Sequence, residues 1–370
     1  MTPKERVEAV LRGGRPDRVP FTAYEHLVPR SEAERRLRND GLCLIASEPS
    51  VYRPIHKSVT VERVTALMDG VPHTRTDIRT PAGDLRSVER LGIDGESSWY
   101  AERLFKGPDD YRAIECLVRD REFEPNYEAF EAAQLALGGD GFLLAEVGYS
   151  PLQEIMYTLM GLEAFAVEWA ERRDDVLGLY EALSENRRRI YPLVANSPAL
   201  AANYGGNVSA EVVGLERFET YYLPHYNEFA DVMHDHGKVV GVHFDANTWV
   251  LAEAIASSRI DYVEAFTPRP DTDMSVAEAR TAWPDKVLWL NFPTSVHSRD
   301  EGTIADTTRQ ILWEAAPGDR FMVGVTEEVP SDRRWESFST ILSVVNREAD
   351  LPIQWKSPRL EARTDSGVRT

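Results

Sequence analysis

From residue 142 onward the chain alternates short apolar runs with longer amphipathic ones, and this rhythm limits the fold more than any other feature. Apolar stretches at 142–147, 199–204, 239–243, 261–266, 286–290 and 320–324 read as strands, and the segments between them carry helical periodicity. Helices are expected at 151–160, 162–189, 215–236, 248–257, 275–282, 303–315 and 333–346. Buried strands separated by helices imply a parallel sheet. Counting a strand that ends near Tyr24 and another within the first third gives about eight units, so a closed (β/α)8 barrel is expected over a doubly wound sheet. The expected organisation is one domain over 1–350, with a β-hairpin insertion at about 57–92. A C-terminal segment follows at 351–370 and ends in a polar tail.

The chain carries 42 Lys plus Arg against 61 Asp plus Glu, a formal net charge of −19. Such a surface repels phosphate backbones unless cations cluster, and the runs Arg12–Arg18 and Arg35–Arg38 are short and interrupted, so nucleic acid is not an expected partner. No apolar run reaches the roughly 18 residues needed to span a bilayer. The N-terminus is charged, and the two cysteines, Cys43 and Cys116, form no Cys-x-x-Cys pattern. The expected location is therefore cytoplasmic.

In a parallel barrel, polar residues at the carboxyl ends of strands converge on one mouth. They are Tyr24, Glu25 and His26; Glu146; Asn203 and Tyr204; His243 and Asp245; Glu264; Asn291; and Glu327 or Glu328. His243 and Asp245 stand two apart at the end of Val239–His243 and share a face. Glu264 interrupts an apolar strand beside them. An imidazole with two carboxylates suits zinc with an open position, and equally iron or manganese. The same residues also read as a buried imidazole hydrogen-bonded to carboxylates without metal. Both readings stand at this point. His234 and His236 lie about 200° apart around a helix and cannot share a ligand. Gly205-Gly206-Asn207 reads as a turn. No Gly-x-Ser-x-Gly elbow is present.

Several segments resemble the uroporphyrinogen decarboxylase superfamily: Met1-Thr2-Pro3-Lys4-Glu5-Arg6 with Pro16-Asp17-Arg18-Val19-Pro20, Gly148-Tyr149-Ser150-Pro151-Leu152, Leu223-Pro224-His225-Tyr226, and His236-Gly237-Lys238 leading to His243-x-Asp245. The resemblance implies a (β/α)8 TIM barrel and includes porphyrinogen decarboxylases and zinc-dependent methyltransferases that work with corrinoid proteins. The Arg-x-Ala-Gly-Arg segment of true uroporphyrinogen decarboxylases is absent; Phe21-Thr22-Ala23-Tyr24-Glu25-His26 stands near its place. The methyltransferase branch is therefore the nearer. There, zinc is held by His-x-Cys, a Glu on the next strand and a distant Cys. His243 matches the His, Asp245 replaces the first Cys, Glu264 matches the Glu, and Glu327 is the candidate for the second Cys. Carboxylates in place of thiolates make the site harder.

The expected function is a zinc- or other divalent-metal-dependent methyltransferase or demethylase acting on a small methylated substrate, with any corrinoid carried by a partner protein. Glu146, Tyr204 and His26 are the expected acid/base residues. One alternative is a decarboxylase of a small acid with His243 and Asp245 as acid/base pair. Another is a barrel that binds a ligand without turnover. A homodimer is left open.

Overall fold

The computed structural model of the protein describes residues 1–92 and 98–354. Eight parallel positions close a barrel. In spatial order its strands are Phe21–Tyr24, Leu42–Ala46, residues 141–146, Ala201–Asn203, Val239–His243, Tyr262–Phe266, Val287–Asn291 and Phe321–Val325, the last pairing again with the first. The third position is split. Gly141–Leu143 pairs with Leu42–Ala46, and Ala145–Glu146 pairs with Ala201–Asn203. Leu144 bridges the two pieces and donates its N–H to Ala46 O at 2.8 Å. The chain is an α/β TIM barrel.

Alternation along each strand sorts side chains into two cores. Inside the barrel lie Cys43, Ile45, Phe142, Leu144, Ala201, Tyr262, Trp289 and Met322, and outside it a larger set packs against the helices. Gly241 is needed by the interior. A Cβ there would stand 1.9 Å from the Tyr262 ring. The floor is closed by helix Pro3–Leu11, whose Val7, Val10 and Leu11 join the interior cluster. Its start is fixed by a capping box: Glu5 N–H donates to Thr2 Oγ1 at 3.2 Å, and Thr2 N–H donates to Glu5 Oε2 at 2.8 Å.

The insertion after the second barrel strand is larger than the hairpin expected at 57–92. Thr60–Met68, Val71–Thr80, Gly83–Leu91 and Ser98–Glu102 form a four-stranded antiparallel meander, and Tyr52–His56 pairs with Arg121–Pro125 at its base. The helix expected at 151–160 becomes a π-helix over Ile155–Met160. Helix Glu32–Asp40, absent from the sequence reading, packs on the second strand. The polar tail expected at the C-terminus lies beyond residue 354, outside the described residues. No helix among the described residues is long and apolar enough to cross a membrane.

Candidate active site at the barrel mouth

Adjacent strands hold the polar residues in register. Glu146 is level with Asn203, and His243 with Glu264. Between Val263 and Phe266 the sixth strand bulges, and Ala265 takes φ 57°. This left-handed residue directly follows Glu264. A bulge of this kind re-aims the side chain beside it.

Glu264 is fully buried and accepts three hydrogen bonds: from Tyr24 OH at 2.7 Å, His243 Nδ1 at 2.7 Å and Asn203 Nδ2 at 3.4 Å. A buried carboxylate without such partners would cost several kcal/mol. By taking the Nδ1 proton, Glu264 turns Nε2 of His243 toward the mouth. There Nε2 lies 3.5 Å from Asp245 Oδ2. One ligand atom each from His243, Asp245 and Glu327 fall within 4.8 Å of one another. Glu264, expected beside the metal, lies outside that group and acts on it through the imidazole. Glu328 is exposed.

The electrostatics follow from burial among carboxylates. Burial opposes charge on His243, but Glu264 and Asp245 outweigh it and hold its pKa well above the ordinary value. Asp245 also resists burial and stays below the usual carboxylate range through its hydrogen bond with His243. Glu327 is raised by burial and by the Asp245 charge. Glu146 rises to about 8, through burial first and the Glu264 charge second. A neutral carboxyl beside an ionised one is the arrangement that divides acid from base.

The group suits a divalent cation on one further observation. Asp245 Oδ1 is buried with no hydrogen-bond partner. An acceptor-only atom left bare next to a shared proton invites positive charge. The donor set of one imidazole and two carboxylates is a hard one that zinc, iron or manganese all accept.

The other expected residues divide. Glu146 lines a cavity of about 200 Å³ together with Tyr24, Glu25, His26 and Glu48. His26 is exposed on the 3-10 turn Glu25–Leu27, its ring centroid 5.5 Å from that of Tyr24. Tyr204 is a correction. It follows inward-facing Asn203 and so points outward, fully buried in the layer between barrel and helices, with its hydroxyl 2.9 Å from that of Tyr191. It does not reach the mouth. Asn291 is structural: its Oδ1 accepts from Thr326 N–H at 2.9 Å and so sets the loop bearing Glu327.

Two features were not read from the sequence. Glu48 follows the strand Leu42–Ala46, which the sequence reading counted within the first third without placing it. Tyr157 is delivered by the π-helix, its ring 5.9 Å from that of Tyr149, and burial together with Tyr149 and Asp245 raises its phenol.

With this geometry in place, solved structures supply a comparison. A methyltransferase from Methanosarcina mazei superposes with a TM-score of 0.58 at 11% identity, over 94% of this chain and 98% of that one. The fold is that of this methyltransferase. Dispersin B also aligns, at 10% identity over 89% of this chain and 99% of that one, with a TM-score of 0.35. No family profile and no curated protein matches the sequence.

Proposed function

We propose that the chain is a metal-dependent enzyme that moves a methyl group from a small methylated substrate, with His243, Asp245 and Glu327 holding the cation. The observation that carries the metal is the convergence of these three side chains within 4.8 Å around the bare Asp245 Oδ1. The reaction class rests on fold likeness to a methyltransferase.

The cation would supply Lewis acidity toward a substrate oxygen or sulfur. The remaining work falls to the chain. Glu264 and Tyr24 fix the tautomer and tilt of His243. Glu146, its carboxyl raised to about 8 by burial, lines the cavity and is the candidate proton donor. In the transfer, the bond from methyl carbon to heteroatom breaks with its electron pair staying on the heteroatom. A nucleophilic acceptor, for which a reduced corrinoid on a partner protein is proposed, would take the methyl group, and Glu146 would give its proton to the leaving heteroatom. Decarboxylation of a small acid fits less well, because carboxylates line the mouth and would repel an anionic substrate.

Elemental analysis of protein purified without added metal tests the reading. About one equivalent is expected in the wild type. Strong loss is expected in His243→Ala and Asp245→Ala, with circular dichroism unchanged. An active wild type holding less than about a tenth of an equivalent would overturn it.

A further inference from the structure

The first strand of the insertion, Thr60–Met68, is an edge. Among the described residues it pairs only with Val71–Thr80, in unbroken register, and it is exposed along its whole length. It carries large apolar side chains in that position: Val64 is 50% exposed, Met68 56% and Leu67 72%. Such an edge offers a row of unpaired N–H and C=O groups, and proteins that keep it single commonly break it with proline, lysine or a bulge. None of these occurs between Thr60 and Met68.

Two copies of a chain with a net charge of −19 repel each other wherever their charge is unbalanced. Over residues 60–91, five Asp or Glu stand against five Arg, so the whole of that excess lies elsewhere. The insertion is the neutral part of an acidic molecule.

The edge is also complementary to itself. Ile78 and Thr76, the partners of Val61 and Arg63, are buried, so the odd-numbered side chains share the face turned to the body and the even-numbered ones the opposite face. Two antiparallel copies related by a two-fold axis can set only residues of equal parity opposite each other. With the axis at Val64, Val64 meets its own copy and Val61 meets Leu67, while Glu62 lies opposite Ala66 and Arg63 opposite Thr65. The full strand is then covered, and Glu62 keeps Arg79 of the next strand at 3.6 Å. Moving the axis to Glu62 or Arg63 sets like charges against each other, and moving it to Thr65 sets Arg63 and Glu62 on Leu67 and Met68.

We propose that the partner at this edge is a second copy of the chain: Thr60–Met68 of two copies pair antiparallel about Val64 and join two four-stranded meanders into one continuous sheet. The pairing consumes both edges, so the assembly closes at two. It is independent of the chemistry at the barrel mouth.

Sedimentation velocity on the full chain, from about 1 to about 100 µM, is expected to show a monomer–dimer equilibrium with no larger species. Val64→Lys sets two ammonium groups across the axis and is expected to raise the dissociation constant about tenfold or more, with circular dichroism unchanged. Cysteine substitution reads the register. Opposed Cα atoms about 4.5–5.5 Å apart suit a disulfide, so Val64→Cys is expected to cross-link into dimers on oxidation and Glu62→Cys is not. The wild type, which holds Cys43 and Cys116, is the blank. A monomer throughout, a dimer indifferent to Val64→Lys, species beyond the dimer, or cross-linking through Glu62→Cys as strong as through Val64→Cys overturns the proposal.

Discussion

Glu264 does more for His243 than a ligand would. Replacing it with Gln keeps the volume and one acceptor oxygen but removes the negative charge that holds the proton on Nδ1, so the imidazole is oriented less firmly. Glu264→Gln is expected to lower metal affinity about 10- to 100-fold without removing any residue of the His243, Asp245 and Glu327 group. Competition with a fluorescent chelator measures this, and unchanged affinity would refute the role. The sequence made His243, Asp245, Glu264 and Glu327 visible because polar residues at the ends of apolar strands have few structural reasons to be there. It did not reveal which of them touch the pocket. Glu264 and Asp245 look alike as letters, and only the direction of the sixth strand at Ala265 separates them. Tyr204 was misplaced for a related reason, since one residue of alternation decides between mouth and outer layer.

At the level of elements, the bulge is the device that matters. Ala265 at φ 57° carries about 1 kcal/mol of strain, and a β-branched residue there would carry more. Ala265→Val is expected to cost about 2 kcal/mol or more and to shift Glu264 from His243. A urea melt reads the first effect and chelator competition the second; a neutral result in both would show that the bulge is incidental. The repeat from 239 to 348 was readable almost residue by residue because each strand is a short apolar run bounded by turn residues. The N-terminal third was not. Leu42–Ala46 is bracketed by a strongly charged helix and the Glu48-Pro49 turn, and the strand Thr60–Met68 is exposed throughout, so the β pattern over 57–92 was legible as a hairpin and not as a four-stranded meander. With the second strand counted but not located, Glu48 had no place at the mouth.

For the molecule as a whole, two buried histidines tie stability to pH. His225, between Tyr180 and Tyr191, and His297, against Ser337, are each held by burial down to about 4. In the unfolded chain both return to about 6.5. Between these values the unfolded state binds protons that the folded state refuses. The contribution of these two histidines is therefore full above about pH 6.5 and falls as the pH drops toward 4, by roughly 3 kcal/mol for each group. Urea midpoints with chelator present, compared between wild type and His225→Gln, check the slope. A slope unchanged by the substitution would contradict the assignment.

The N-terminal helix on the barrel floor has a kinetic consequence. Cys43 lies in the interior cluster with Val7, Val10 and Leu11, fully screened, and burial raises its thiol far above the ordinary range. An alkylating reagent can reach that sulfur only after the helix lifts away. The rate of Cys43 labelling should therefore count undocking events of the first dozen residues, and should rise well over tenfold in Val7→Ala, where the helix loses about 2 kcal/mol of its hold. The second thiol, Cys116, is only partly buried and serves as the internal clock.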